Sequence, residues 1–121
     1  MLPGSRHSTR DQGSRAELRA EHLLLEEGLQ LVQRNFSCRS GEIDLIMRHG
    51  EQLVFVEVRY RKNALYGSAL ESVNRKKQQK LIATARYYLV QNKNQGANCR
   101  FDVVGITGND IQWVPAAFHG I

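Results

Sequence analysis

Two neighbouring runs of sequence decide the fold of this chain: Gly41-Glu42-Ile43-Asp44-Leu45-Ile46-Met47 and Leu53-Val54-Phe55-Val56-Glu57-Val58-Arg59. Their alternating pattern and the tight turn between them, around His49 and Gly50, predict a β-hairpin. Successive side chains of a strand point to opposite faces. One face is therefore predicted to be apolar and to carry Ile43, Leu45, Met47, Val54, Val56 and Val58. The other face carries Glu42, Asp44, Glu57 and Arg59.

The separation of Asp44 and Glu57 depends on the length of the hairpin loop. A two-residue loop, 49–50, places Asp44 diagonal to Glu57, whereas a four-residue loop, 49–52, places the two acids directly opposite each other. Either register brings two carboxylates together in mid-strand, where acids are disfavoured. Such a pair can share a hard divalent cation such as magnesium. The alternative is a solvated sheet face on which Arg59 neutralises the acids.

Length and charge limit the possible classes of protein. A chain of 121 residues is typical of one domain with a single core. We predict a flexible polar tail at residues 1–13 and a single domain at residues 14–121. The 17 lysines and arginines exceed the 12 acids, which gives a net charge of +5. This surplus favours an anionic partner, either nucleic acid or a membrane surface.

Cysteine usage and hydropathy point to the cytoplasm. Cys38 and Cys99 are far apart in sequence, so a zinc site is not expected. We expect both cysteines to be reduced thiols. No apolar run approaches the length that spans a bilayer, and no apolar segment typical of a secretory signal follows the N-terminus. We therefore expect a cytoplasmic protein without a membrane partner.

A helix is predicted ahead of the hairpin, over residues 15–27. Ser14 and Glu17 have the spacing of a capping box, and Gly28 suits the position that ends a helix. Capping explains Glu17 without any chemistry. The alternative is that Glu17 points towards the acidic face of the hairpin.

Basic residues follow the hairpin. Residues 60–67 form a connection in which arginine and lysine alternate with tyrosines, which suits phosphate contact and base stacking but is also typical of a solvated loop. A long helix is predicted over residues 74–91, after a short turn at residues 68–71. Lys77 lies in its first turn, where the helix dipole disfavours a cation. That mismatch disappears if Lys77 faces a phosphate or an acidic cluster.

Three further strands complete the predicted sheet, at residues 29–36, 99–106 and 111–114. Pro115 is expected to end the last of them, because proline cannot donate to a strand ladder. Asp102 is another acid in an apolar run. We expect it to form an ion pair with Arg100 or Arg59 rather than to bind a metal.

The order helix, three strands, helix, strand resembles the core of the PD-(D/E)xK nuclease superfamily. More closely, the chain resembles the YraN family of small bacterial proteins, which is similar to archaeal Holliday junction resolvases. The resemblance covers roughly residues 13–115 and is carried by residues 41–46, 54–61 and 100–104, with Asn35, Lys77 and Gln78. It implies an α/β (α+β) fold of the restriction-endonuclease type, with a mixed central sheet flanked by helices.

The resemblance also assigns roles to individual residues. Asp44 matches the metal-binding aspartate of the superfamily, Glu57 the acid of its (D/E)xK element, and Glu17 the first-helix glutamate of the resolvase-like branch. Lys77 falls where a polar helix residue often faces the site. Arg59 stands where the superfamily has its lysine. Arginine stays protonated at ordinary pH, so it is no general base, but it can steady charge developing on phosphorus.

These observations predict an endonuclease that uses Mg2+ or Mn2+ and acts on DNA rather than RNA, with branched or recombination intermediates as candidate substrates. The predicted metal ligands are Asp44, Glu57 and Glu17, and the predicted catalytic residues are these three with Arg59 and Lys77. Phosphate contacts are predicted for Arg59, Arg61, Lys62, Arg75, Lys76 and Lys77. A symmetric cut of two strands would require a homodimer.

Two other functions remain open on the sequence. One is a catalytically inactive nucleic-acid-binding module on a nuclease fold, with Arg59 marking the lost chemistry. The other is a protein-interaction subunit whose acidic face docks a basic partner, although that function leaves the basic surplus unexplained.

Overall fold

The computed structural model describes residues 9–121 of the chain, with side chains from residue 12 onward. Two helices and five strands follow in the order α1 (Thr9–Glu26), β1 (Gln30–Cys38), β2 (Gly41–His49), β3 (Gln52–Arg61), α2 (Arg75–Gln91), β4 (Cys99–Thr107) and β5 (Asp110–Phe118). A single 3-10 turn, Leu70–Ser72, precedes α2. The strands form one sheet in the order β1-β2-β3-β4-β5. Only the β3–β4 pair is parallel.

The sheet separates two apolar clusters. On one face α1 packs through Ala16, Ala20 and Leu24 against side chains of β2, β3 and β4. On the other face α2 packs through Leu81, Ala85, Tyr88 and Leu89 against a second set that includes Phe55 and Phe101. Burial of these two faces is the main stabilising contribution to the fold. The arrangement is a mixed α+β fold with a nuclease-like core, which confirms the predicted fold class.

Helix α1 begins earlier than the sequence pattern predicted. It starts at Thr9 rather than near residue 15, so Ser14 lies inside the helix and the predicted capping box at Ser14 is wrong. The part of the predicted tail at residues 1–8 lies outside the described residues. The end of the helix is as predicted: Gly28 has a φ of 96°, and Leu29 N–H donates to the Leu24 carbonyl at 3.0 Å, the pattern of a Schellman motif. No helix within residues 9–121 is long and apolar enough to cross a membrane.

The start of α2 is fixed by a side-chain cap. Asn74 has extended backbone angles, and its side chain accepts a hydrogen bond from Lys77 N–H at 2.9 Å. The preceding 3-10 turn is held by two reciprocal bonds: Ser68 Oγ accepts from Glu71 N–H at 3.3 Å, and Glu71 Oε1 accepts from Ser68 N–H at 3.5 Å. Local polar bonds therefore set where α2 begins and how its first turn faces the sheet.

The β2–β3 hairpin has the register that places Asp44 opposite Glu57. Arg48 pairs with Leu53 and Leu45 with Val56, after which the regular pairing stops. This is the register of the predicted four-residue loop, although the ladder also closes one pair further, at His49 and Gln52. The two acids therefore lie just beyond the last regular pair of the hairpin.

The predicted face of Ile43 is wrong. Ile43 packs in the α2 cluster with Phe36 and Ile46 rather than with Leu45 and Met47 on the α1 side. The change of face coincides with an irregularity in the neighbouring strand β1, where Asn35 has a left-handed φ of 53° between the pairs Arg34–Leu45 and Phe36–Ile43. A positive φ interrupts the alternation of side chains, and asparagine tolerates it better than most residues.

Strand β5 continues through Pro115 to Phe118, so the predicted end at residue 114 is wrong. Proline is tolerated because β5 is an edge strand. The Asp102 carboxylate accepts from groups on both sides of the proline, from Trp113 Nε1 at 2.9 Å before it and from Ala116 N–H at 3.0 Å after it. Asp102 is fully buried and forms a bidentate pair with Arg100, which confirms the predicted ion pair.

Removing the charge of Asp102 should destabilise the fold without affecting the acidic site. We expect Asp102→Asn to lower the free energy of unfolding by about 3 kcal/mol, because it leaves the Arg100 guanidinium without its counter-ion in a largely buried position. Urea denaturation measures this. Asp110→Asn, the same change at an exposed residue of the β4–β5 turn, is the matched control and should change stability by less than about 0.5 kcal/mol. Equal effects of the two substitutions would contradict a structural role for Asp102.

Candidate active site

Asp44 and Glu57 meet where the β2–β3 ladder ends. Their carboxyl groups are close enough to share a hydrogen bond. Asp44 Oδ2 also accepts from Val58 N–H at 2.7 Å, so the aspartate side chain occupies a backbone donor that a regular strand partner would otherwise take. Glu57 is buried, with only 4% of its side chain exposed. The sequence predicted this pairing, and the structure brings the two acids into contact.

Burial and mutual repulsion hold a proton on this pair. Desolvation, followed by the charge of Glu57, raises the pKa of Asp44 from 3.8 to about 9. Burial likewise raises the pKa of Glu57, although neighbouring Lys77, Asp44 and Arg59 oppose the shift. Two carboxylates cannot both ionise at close range without a compensating positive charge.

Two cations lie beside Glu57. The Lys77 Nζ is 3.5 Å from Glu57 Oε2, and an Arg59 guanidinium nitrogen is 3.6 Å from the same oxygen. Both distances are longer than a strong charge-assisted hydrogen bond, so these are loose ion pairs. Arg59 is held from its other side, where its Nε donates to Ser72 Oγ at 2.9 Å. Lys77 therefore faces an acidic group, as its place in the first turn of α2 predicted.

Glu17 lies at the edge of the pair rather than within it. Its charge contributes to the raised pKa of Asp44, and its Oε1 accepts from Asn35 Nδ2 at 2.9 Å. Since Ser14 lies inside α1, Glu17 is not the capping residue that one interpretation of the sequence offered. Glu17 also lines a cleft of about 520 Å³, together with Asn35 and Glu42. Glu17 thus joins the acidic pair to a solvent-accessible cleft only through its own side chain.

The remaining predicted phosphate contacts surround the site at a distance. Arg61 ends β3, Lys62 follows it, and Arg75 and Lys76 open α2. Lys62, Arg75 and Lys76 are exposed, and Arg61 is half-buried. Within residues 12–121, none of these four side chains forms an ion pair with an acid. Their charges are therefore available to an anionic ligand, but none of them contacts Asp44 or Glu57.

The donor set fits magnesium or manganese only in part. Carboxylate oxygens are the preferred ligands of these hard cations, and magnesium commonly uses one or two carboxylates and keeps several waters. Asp44 and Glu57 meet that requirement, and a cation would relieve their repulsion. In the part of the chain described here, no three His, Cys, Asp or Glu residues lie close enough together to hold a metal. Glu17 is thus not positioned as a third direct ligand, and its predicted metal role stays a prediction.

Sequence reasoning did not find two polar contacts of the site. Ser72 fixes Arg59 across thirteen residues, and no pattern in the sequence signals that contact. Glu21, one turn after Glu17 on α1, forms a bidentate pair with Arg34 on β1 at 2.7 Å and 2.8 Å. This second pair fastens α1 to the edge strand next to Asn35. It therefore supports the placement of Glu17.

Fold and site together define a small α+β domain that carries a paired-carboxyl site on a nuclease-like core. The model of the family described as "Uncharacterised protein family UPF0102" matches residues 16–106. The UPF0102 protein of Saccharophagus degradans is 50% identical over 109 residues, which cover 89% of this chain and 92% of that protein. The UPF0102 protein YraN of Escherichia fergusonii is 48% identical over 114 residues, covering 93% and 87%. The chain belongs to the UPF0102 family, and the resemblance to YraN is confirmed.

The raised pKa of Asp44 predicts a pH-dependent effect of Asp44→Asn. The folded protein holds a proton that the unfolded chain releases near pH 3.8, so wild-type stability falls as pH rises from about 4 to about 9. Asparagine does not ionise and can still accept from Val58 N–H. We expect the variant to gain roughly 1–3 kcal/mol over wild type near pH 9 and little near pH 4.

Thermal unfolding across that pH range, without divalent ions, measures the effect. Glu51→Gln is the matched control, because Glu51 is an exposed acid in the turn of the same hairpin. Its stability difference from wild type should not change with pH. A pH-independent difference for Asp44→Asn would contradict the shared proton.

Proposed function

We propose that this protein is a metal-dependent endonuclease that hydrolyses phosphodiester bonds in DNA. The observation that carries the proposal is the contact between Asp44 and Glu57 in a desolvated position. Bringing two acids together in a sheet costs stability, and nothing in the packing of the core requires it. A binding site for a divalent cation gives the pair a purpose.

The residues divide into two functional groups. Asp44 and Glu57 would hold the cation, with Glu17 adding negative charge beside them. A bound Mg2+ or Mn2+ supplies Lewis-acid chemistry, lowering the pKa of a water and polarising the phosphate. Arg59 and Lys77 would stabilise the negative charge that develops on the phosphate in the transition state, since both cations already lie within 3.6 Å of Glu57 Oε2.

Arg59 restricts the chemistry available to the site. A guanidinium remains protonated, so Arg59 cannot remove a proton from the attacking water. Its bond to Ser72 Oγ holds it in a fixed position, which favours an electrostatic role. Exposed Lys62, Arg75 and Lys76 would grip the backbone of the nucleic acid.

Cleavage assays with matched variants test the proposal. We expect wild type to cut branched or single-stranded DNA with Mg2+ or Mn2+, and Asp44→Asn and Glu57→Gln each to lower the rate at least about 100-fold, because each removes a carboxylate of the cation site. Glu51→Gln, in the turn at the other end of the hairpin, should cut at the wild-type rate. Unchanged cleavage by both site variants would refute the assignment.

Substitution of Arg59 or Lys77 should change a different kinetic parameter from substitution of the distant basic residues. We expect Arg59→Ala and Lys77→Ala to lower kcat by about 100-fold, because they act on transition-state charge. Lys76→Ala, at an exposed position in the same first turn of α2, should instead raise KM and reduce the salt dependence of binding by about one phosphate contact. Steady-state kinetics at several salt concentrations separate the two patterns. If Arg59→Ala and Lys77→Ala raise KM and leave kcat unchanged, the two residues only contact phosphate and do not stabilise the transition state.

A second candidate, a non-catalytic nucleic-acid-binding module, is favoured by one observation. The Arg59 guanidinium is engaged with Ser72 and Glu57, and the resemblance to the nuclease superfamily implies a lysine at this position. This function predicts salt-sensitive DNA binding that needs no metal and is unchanged in Asp44→Asn. DNA binding without cleavage under any divalent ion would favour it over the endonuclease.

A further inference from the structure

The connection between β3 and the 3-10 turn exposes an apolar tip. Leu65 is 73% exposed and Tyr66 is 85% exposed, the two highest values among the large hydrophobic side chains of the described chain. Scattered exposed hydrophobic residues are ordinary, but adjacent ones at the end of a projecting loop form a surface that water solvates poorly. Neither residue is needed for the core, so both side chains are available to a ligand.

The loop that carries this tip is internally bonded. Leu65 N–H donates to Asn63 Oδ1 at 3.0 Å, and Gly67 N–H donates to the Ala64 carbonyl at 3.1 Å. Gly67 has a φ of 101°, which a residue with a side chain rarely adopts. On the far side, Ala69 N–H donates to Thr107 Oγ1 at 3.0 Å and ties the loop to β4. These bonds hold the tip in a defined conformation, which reduces the entropic cost of binding.

The base of the loop lies at the candidate active site. Arg59, before the loop, donates to Ser72, after it. Tyr66 and Ser72 are six positions apart, so the tip lies at most ~20 Å from that contact along an extended chain. A DNA strand advances ~3.4 Å per nucleotide. A base on the tip would therefore be within about six nucleotides of a phosphate at Glu57.

The charges around the tip select the kind of ligand. Arg61 and Lys62 precede it and Arg75 and Lys76 follow it, whereas the only acid between residues 58 and 76 is Glu71. The Glu71 carboxylate is already bonded to Ser68. The tip is apolar and aromatic, and basic residues flank it on both sides. This combination suits a polyanion that also has flat apolar faces. Nucleobases have such faces, and they stack on tyrosine irrespective of sequence.

We propose that Tyr66 stacks on an unpaired nucleobase and that Leu65 packs beside it, so that the site acts on nucleic acid with unpaired bases within a few nucleotides of the cleaved bond. This inference rests on the proposed function for the identity of the polymer. In a duplex each base face is covered by its neighbours, so stacking on the tip requires an end, a gap or a branch point. The tip is then a specificity-determining element, distinct from the residues that contact the phosphate.

Binding of the full chain to labelled DNA tests this without any cleavage. Fluorescence anisotropy in EDTA compares a duplex with a fork of the same length that has single-stranded arms. We expect wild type to bind the fork more tightly, and Tyr66→Ala to lose about tenfold in affinity for the fork with little change for the duplex. Tyr66→Phe should retain the affinity for the fork, because the ring is kept. Leu65→Ala should show a smaller loss with the same selectivity.

Two controls separate stacking from charge and from folding. Tyr87→Ala removes an exposed tyrosine from α2 and should change neither affinity. Lys62→Gln should weaken binding to both DNAs alike and reduce the salt slope by about one contact, whereas Tyr66→Ala should leave that slope unchanged. Thermal unfolding of each variant confirms that it is folded.

The possible outcomes are distinguishable. Loss of affinity for both DNAs in Tyr66→Ala, no loss at all, or a loss in Tyr66→Phe equal to that in Tyr66→Ala would overturn the stacking role while leaving the endonuclease intact. A change of molecular mass in Tyr66→Ala, measured by sedimentation, would overturn it in favour of a self-association surface. If wild type binds neither DNA, the proposed function itself fails.

Discussion

The contact between Asp44 and Glu57 is the constraint on which the site depends. The hairpin register places the two acids opposite each other. The hydrogen bond that Asp44 accepts from Val58 N–H fixes the aspartate where the ladder ends. Burial raises the pKa of both groups, so the pair holds a proton that a cation could replace. The fold thus maintains an unfavourable arrangement at one point of the sheet. Arrangements of this kind concentrate at functional sites.

The elements around the pair each supply one polar group to it. Helix α1 brings Glu17, the 3-10 turn brings Ser72 to Arg59, and α2 brings Lys77 in a first turn oriented by the Asn74 cap. Arg59 beside Glu57 stays protonated, so it can stabilise charge but cannot accept a proton. Asp102, although buried and acidic, belongs to a separate network with Arg100 that holds β4 to the edge strand.

Local chemistry made much of this predictable from the sequence. The alternation of the hairpin predicted the strands and the Asp44–Glu57 pair, and Gly28 predicted the end of α1. Features set by distant contacts were not predictable. The alternation rule missed Ile43, whose change of face lies opposite the left-handed Asn35 of β1. The proline rule missed the course of β5, where Asp102 bonds the backbone beyond Pro115. The capping box at Ser14 failed since polar residues upstream continue the helix to Thr9.

The proposed nuclease activity requires that the acidic pair bind a divalent cation, which crystallography can test. Crystals of the wild-type protein grown with Mn2+ allow the ion to be located by its anomalous scattering. We expect one strong anomalous peak in contact with carboxylate oxygens of both Asp44 and Glu57. Crystals of Asp44→Asn grown in the same way should lack this peak. A peak elsewhere on the protein, or none at a saturating Mn2+ concentration while the two acids remain in contact, would contradict it.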